Sequence, residues 1–426
     1  MKRKLWIVTE VFYPDETATS YILTRIAEHL NACFDVHVIC GPLDGDSCKA
    51  SGHLQGDIHI IRHNGCAWNK NKLLVRLLRF IGISSALIFS SFKHISRNDE
   101  VLIVTNPAPM LLLFPLLKKW KGFYLTILVH DVFPENAIAA RILKNDRNWC
   151  YKWLKARFDK AYARADRLVV LGRDMLEVMT HKIEPYKRSN ISIEIIENWA
   201  DTENIKPTII DRDSFFKFDT SGKIILQYAG NIGQGLKEFL QCLYDSHNET
   251  LHLCIWGKGA LENELREFVA QHNMTNVSFH GGYARTLQNN VLNSCDLAIV
   301  TLSEGMYGLG VPSKSYNIMA AGKPILYIGD PASEIAQTIR DQEIGVCFNR
   351  ANDVLTNYLA NLTIRDLPDL CKMGCKARIA AETNYSRKTI MQKFGALFNP
   401  VSYTHLTLPT SDLVIIQSLL CRKMIR

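Results

Sequence analysis

Two successive series of short, near-continuous Val/Ile/Leu runs, each interrupted by helical segments, constrain this chain more than any other feature. LWIVTE (5–10), VHVICG (36–41), IHIIRH (58–63), VLIVTN (101–106), YLTILVH (124–130), RLVVLG (167–172) and IEIIENW (193–199) make up the first series. KIILQYAG (223–230), LHLCIWG (251–257), VSFHGG (277–282), LAIVTL (297–302), PILYIG (324–329) and GVCFN (345–349) make up the second. Runs that are apolar at successive positions are expected of parallel strands covered on both faces. Strand–helix alternation, repeated twice, predicts an α/β chain of two Rossmann-like, doubly wound parallel-sheet domains facing a central cleft. Ligands of such sheets bind beyond the carboxyl ends of the strands, which makes that cleft the expected active site.

The pattern sets boundaries. A first domain is expected over 1–200 and a second over 223–385. Residues 201–222 are polar and aperiodic, contain Pro207, and read as a linker. Residues 386–400 read as a terminal helix. The string VSYTHLTLPTSDLV opens the last stretch and resembles a translated sequencing-adapter artefact. Residues 401–426 are therefore set aside as non-native.

The 426 residues are 47% hydrophobic and 22% charged, enough for two or three globular cores. No run reaches the ~18 uninterrupted apolar residues of a spanning helix. The basic start, MKRKLWIVTE, is followed at once by Pro14, Asp15 and Glu16, which argues against a secretory signal. The expectation is a cytoplasmic protein, peripheral on the inner face of the cell membrane. Twelve scattered cysteines read as small buried hydrophobes in a reducing compartment. Cys371 and Cys375 form the closest pair, but with no Cys or His partner nearby they do not read as a zinc site.

The distribution of charge matters more than its total of +8. Residues 66–97 carry Lys70, Lys72, Arg76, Arg79, Lys93 and Arg97, no acid, and interleaved apolar clusters. A basic, apolar helix of this kind suits an anionic membrane surface. A second basic stretch, 144–167, carries Trp149 and Trp153. An ordinary amphipathic helix with solvated lysines explains the same charges. Nucleic acid is not an expected partner, because no helix-turn-helix, zinc-finger or single-strand-binding motif is present.

Chemistry is sought where strands give way to loops. YAGNIGQGLKEF places Gly230, Asn231, Gly233 and Gly235 between a strand and a helix. Glycines there let backbone approach a ligand, although tight strand–helix packing explains them equally well. SEGMYGLGVPSKSYNIMAAGKPIL contains Glu304, Gly308, Leu309, Gly310 and Val311, and leads into a helix expected near Pro312 or Ser313. Lys314 stands in its first turn, where a cation opposes the helix dipole unless an anion such as a diphosphate is bound. In the first half, LTILVHDVFPENA sets His130 and Asp131 at a strand end, with Glu135 just beyond.

The strings FYPDETATS, HDVFPE, IENWAD, YAGNIG, WGKGALE and GVPSKSYNIMAAGKPI occur in this order over residues 4–398. Together they resemble bacterial glycosyltransferase family 4, in its O-antigen and capsule branch of fucosamine-transferase-like proteins. The resemblance implies a GT-B fold in which the second domain holds a nucleotide-sugar and the first serves the acceptor. It also implies retention of anomeric configuration, no metal and no cofactor. The acceptor it implies is an undecaprenyl-diphosphate-linked saccharide, and the donor a UDP-sugar, with GDP next. Carried over by position, it assigns His130, Asp131 and Lys314 to catalysis. Donor binding falls to Gly230, Asn231, Gly233, Lys258, Glu304, Gly308, Leu309, Gly310, Val311, Ser313 and Asn317. Asp15, Glu16, Thr17 and Glu135 fall on the acceptor side. Two departures from the family pattern stand out: Asn317 occupies the place of a ribose-binding glutamate, and Asn231 that of an arginine. Diphosphate charge then falls to Lys314, backbone amides, Lys237 or Lys258.

No residue reads as a covalent nucleophile, so a front-face displacement is expected. A sugar-nucleotide epimerase and a catalytically silent sugar-nucleotide-binding partner are the competing readings. A nicotinamide dehydrogenase is disfavoured, because no G-x-G-x-x-G follows the first strand.

Overall fold

The computed structural model describes residues 2–15, 17–43, 53–63, 73–139, 148–186, 191–233 and 235–398. The set-aside tail lies outside these residues, as do Glu16, part of the 66–97 stripe and the start of the 144–167 stretch. The chain divides into two compact units. The first comprises Met1–Ile196, Gly308–Gly310 and residues 391–398, and the second Glu197–Tyr307 and Val311–Ile390.

Unit 1 is built on β1 (Arg3–Thr9), β2 (Phe34–Cys40), β3 (Ile58–Arg62), β4 (Glu100–Val104), β5 (Tyr124–Val129), β6 (Arg167–Val170) and β7 (Ser192–Ile195). All pair in parallel, in the order β3-β2-β1-β4-β5-β6-β7. Ile7 sits between Val38 and Leu102 at the centre of the sheet, and all three are buried. The helix Ala18–Leu30 starts on an N-cap, Thr17, whose side chain accepts the Ser20 N–H.

Phe398, at the end of the helix Arg387–Phe398, is 1% exposed and meets Phe34 edge-on at 6.1 Å. The Arg3 and Arg167 guanidinium groups donate to the Phe398 and Leu397 carbonyls at 3.1 and 2.8 Å. These arginines satisfy the helix-end carbonyls that have no partner inside the helix. Arg167 also pairs with the buried Glu100 at 2.7 Å.

Unit 2 is built on β8 (Ile224–Ala229), β9 (Leu251–Trp256), β10 (Val277–Gly281), β11 (Leu297–Thr301), β12 (Ile325–Ile328) and β13 (Gly345–Phe348). They are parallel, in the order β10-β9-β8-β11-β12-β13. Successive residues feed opposite cores. Ile225, Ala298, Val300, Ile325 and Tyr327 pack into one cluster. Ile224, Leu226, Leu297, Ile299 and Leu326 pack into the other. With both faces covered, no polar alternation survives, which is why the runs read as continuous.

The segment 201–222, expected as a linker, belongs to unit 2. Ile205 and Phe216 are buried in one of its cores, and Arg212 makes a two-armed pair with Asp296 at 2.5 and 3.1 Å. Its polar composition hid these two apolar anchors and the one charged one.

Candidate functional site

The order of the second sheet reverses between β8 and β11, the switch point at which doubly wound sheets take up ligands. The loops after these strands carry YAGNIG and GVPSK. Gly257, after β9, donates its N–H to the Gly281 carbonyl, and the Gly230 N–H donates to the Trp256 carbonyl at 2.9 Å. A Cβ at Gly257 would stand 1.8 Å from the Gly230 carbonyl oxygen, so only glycine lets these loops approach. Gly230 itself has φ +150°, and a Cβ there would lie 3.7 Å from the Lys314 Nζ.

The structure therefore brings Gly230 and Lys314 together, from segments 84 positions apart (314 minus 230). The Lys314 ammonium lies 3.7 Å from the centroid of the Tyr228 ring, a cation–π contact. Burial lowers its pKa to about 7, because removing water disfavours the charged form. No acidic side chain lies within ion-pairing distance of it among the described residues. The Tyr228 hydroxyl donates to the Asn231 carbonyl at 2.8 Å, which ties the ring to the same loop. Gly233 faces open space. A cation left without a counter-ion at a sheet switch point suits an anionic ligand.

Other sequence-predicted residues are placed as follows. The helix begins at Lys314 and runs to Ala320, later than Pro312 or Ser313. Ser313 precedes it without a side-chain capping bond, because its backbone is already helical. The Asn317 Oδ1 accepts the Asp201 N–H at 3.1 Å, so its carbonyl is already engaged by backbone. Asn231, Lys258 and Glu304 are exposed, and Val311 packs against the unit 2 core. Lys237 is paired with Glu264 at 2.5 Å on the surface.

In unit 1, His130 and Asp131 follow β5. The His130 Nε2 is buried with no hydrogen-bond partner among the described residues, and burial lowers its pKa to about 4. It is a neutral imidazole near pH 7. The Asp131 carboxylate accepts from Asn136 at 2.9 Å, and its N–H donates to Thr105 Oγ1 at 3.1 Å. Burial raises the Asp131 pKa. Gly308 to Gly310 pack in this unit: the Leu309 carbonyl accepts the Val132 N–H, and a Cβ on Gly308 would stand 2.4 Å from Val178.

The acceptor-side expectations divide. Asp15 is buried and Thr17 is occupied as a helix cap. Glu135 is engaged in a four-charge cluster: it pairs with Lys182 at 2.6 Å and Lys155 at 2.8 Å, and both lysines also hold Asp159. Lys182 is nearly buried, so this cluster is a compensated internal network that ties three helices. The carboxylate of Glu135 is thus engaged by two lysines.

The sequence reading passed over the aromatics beside the loops. Tyr228 stands two residues before Gly230. Trp256 closes β9, stacks on His280 at 4.3 Å, meets Tyr283 edge-on, and has a buried Nε1–H with no acceptor among the described residues. An aromatic at a strand end before glycine was the available signal.

A second surface belongs to unit 1. On the helix Leu73–His94, Ile81, Phe89 and Phe92 are exposed at 50%, 71% and 38%. On the helix Pro109–Lys121, Leu113, Leu116 and Trp120 are exposed along one face, Trp120 at 69%. Phe92 and Trp120 stack at 4.6 Å, joining the two stripes, and the Lys121 ammonium lies 4.9 Å from the Phe92 ring. Neither helix contains an acid. Among the described residues no helix is long and apolar enough to cross a membrane, and no group of three metal-ligating side chains is found.

Two parallel, doubly wound sheets of seven and six strands, with glycine-bearing loops at the switch point of the second, make a GT-B fold. The family model "Glycosyl transferases group 1" matches residues 223–363. The chain is 38% identical over 406 residues to "Probable glycosyltransferase WbjE" of Pseudomonas aeruginosa, covering 93% of this chain and 98% of that one. It belongs to this glycosyltransferase family. Among solved structures, Anabaena Alr3699/HepE in complex with UDP and glucose superposes with a TM-score of 0.65 at 13% identity, over 93% of this chain and 99% of that one. WaaG, a glycosyltransferase involved in lipopolysaccharide biosynthesis, superposes with a TM-score of 0.63 at 14% identity, over 93% and 99%.

Proposed function

We propose that this protein transfers a sugar, with retention, from a UDP-sugar to a lipid-linked saccharide in surface-polysaccharide synthesis. The observation that carries the reading is the Lys314 ammonium, half-buried beside Gly230 at the β8/β11 switch point with no acidic partner among the described residues. As the bond between the anomeric carbon and the nucleotide breaks, negative charge grows on the leaving phosphate. A preorganised cation in a dry site stabilises that charge. The departing phosphate takes the proton of the acceptor hydroxyl as the new glycosidic bond forms on the same face. His130, neutral near pH 7, acts on the transfer step without serving as a cationic acid. The UDP complex of Alr3699/HepE and the lipopolysaccharide role of WaaG support a UDP-sugar donor and a surface glycan product.

The exposed aromatic and basic face of the helices Leu73–His94 and Pro109–Lys121 supports a peripheral site on an anionic membrane, where a lipid-linked acceptor is held. The test is transfer of radiolabel from a panel of UDP- and GDP-sugars into lipid extracts of isolated membranes. Nucleotide binding with no transfer from any donor would favour the silent-partner reading. Conversion of a donor to its epimer without transfer would favour the epimerase reading.

A further inference from the structure

A cavity of about 700 Å3 opens at the amino ends of the unit 2 strands, the opposite edge of the sheet from Gly230 and Lys314. Asp296 and Pro324, which precede β11 and β12, form its floor, and Ile209 and Ile210 form an apolar wall. Its charged groups are Arg212, Asp296 and Lys323. Arg212 is neutralised by Asp296. The Lys323 ammonium has no hydrogen bond or ion pair among the described residues, and burial lowers its pKa. Cys371 lines the cavity from the helix Leu367–Thr383, and Cys375 follows one helical turn later.

We propose that this cavity is a covalent modification site in which Cys371 exchanges with a low-molecular-weight disulfide bearing carboxylates, guided by Lys323. The elements of the site are geometric: a volume large enough for a short peptide, a thiol on its wall with a second free thiol one helical turn away, and a lysine in the same lining with no ion pair among the described residues. The Cys375 S–H donates to the Cys371 sulfur, and Lys323 adds its field, which together bring the Cys371 thiol down to about 7. The Cys371 thiolate attacks one sulfur of the disulfide. A new S–S bond forms, the old one breaks, and the departing thiolate takes a proton from solvent. The fully buried thiols contrast with it: burial pushes Cys254 up to about 12, and Cys40 and Cys295 to about 11.

The site has a structural route to the opposite edge of the sheet. Lys323 follows the end of the helix Lys314–Ala320. Gly374, between the two cysteines, packs against the Gly322 carbonyl so closely that a Cβ would stand 2.2 Å from it. The inference about Cys371 does not depend on the glycosyltransfer reading.

The experiment uses the full chain at pH 7 with oxidised glutathione, a carboxylate-bearing disulfide, followed by peptide mass spectrometry. Cys33 and Cys150 are exposed and serve as internal standards. Cys371 is expected to be modified about tenfold faster than either, despite its lower exposure. That preference is expected to shrink in wild type when uncharged bis(2-hydroxyethyl) disulfide replaces glutathione, and in Lys323→Met with glutathione itself. Equal rates at Cys371, Cys33 and Cys150 would overturn the proposal. So would a Cys371 rate indifferent to the charge of the disulfide, a comparison made in wild type and therefore independent of how any variant folds.

Discussion

The Lys314 ammonium stands 3.7 Å from the centroid of the Tyr228 ring, held by its aromatic face and, among the described residues, by no acidic side chain. Desolvation therefore wins, and the pKa falls from 10.5 to about 7. The unfolded chain binds this proton up to about pH 10.5, whereas the folded chain releases it near 7. Folding is thus penalised below about 7, and the ligand-free protein gains stability as pH rises from about 7 to about 10.5. A bound diphosphate favours the charged form and reverses the shift. UDP affinity is expected to fall by up to about tenfold per pH unit above 7, with proton uptake on binding. Calorimetry in buffers of different ionisation enthalpy measures this. Flat affinity from pH 6.5 to 8.5 with no proton uptake would remove Lys314 from the phosphate.

Lys314→Ala is expected to lower turnover by roughly 10²-fold at saturating donor, with a smaller loss of UDP affinity. Charge on the phosphate is greatest in the transition state, so a cation there contributes more to turnover than to ground-state binding. Single-turnover rates and equilibrium binding separate the two effects. Near-wild-type turnover would shift attention to Lys258, since Lys237 is already paired with Glu264.

His130→Ala is expected to reduce transfer while leaving UDP affinity within about twofold. With its pKa near 4, His130 contributes no inflection to the pH–rate profile between about 5 and 8. A His-type inflection in that window that disappears in His130→Ala, or equal loss of UDP binding, contradicts the role given to it.

The sequence made the two sheets legible because buried parallel strands need apolar residues on both faces, and Ile224, Ile225 and Leu226 serve both cores at once. The loops were legible because Gly230 and Gly257 answer steric demands that no other residue meets. Side-chain pairings over long separations were not. Nothing local in ENAIA shows that Glu135 is engaged by Lys155 and Lys182, or that the Asn317 carbonyl is spent on the Asp201 N–H. Tyr228 was passed over for a related reason: its role depends on Lys314, far along the chain.

Phe398 closes the amino-terminal edge of the first sheet. Its ring is 1% exposed, lies against Phe34, and has the Arg167 guanidinium 5.1 Å from its centroid. Phe398→Ala is expected to cost about 3–5 kcal/mol, as large-to-small core changes do. Chemical denaturation followed by circular dichroism measures it. A loss below about 1 kcal/mol would mean that the helix end is not part of the cooperative core.

Exposure of Phe89, Leu116 and Trp120 on acid-free helices predicts how the protein meets lipid. Aromatic rings partition into the interfacial zone, while lysines contribute about 1 kcal/mol each near an anionic surface. The two contributions differ in salt dependence, because charge is screened and apolar insertion is not. Wild type is expected to sediment with vesicles of mixed phosphatidylglycerol and phosphatidylcholine at low salt, and in part at high salt. Trp120→Glu with Phe89→Glu is expected to abolish the salt-resistant fraction. Arg76→Glu with Arg79→Glu is expected to weaken the salt-sensitive one. All four side chains lie away from the donor loops in sequence, so UDP affinity serves as the control for folding. Failure of wild type to sediment with anionic vesicles at low salt would exclude this face as a lipid surface.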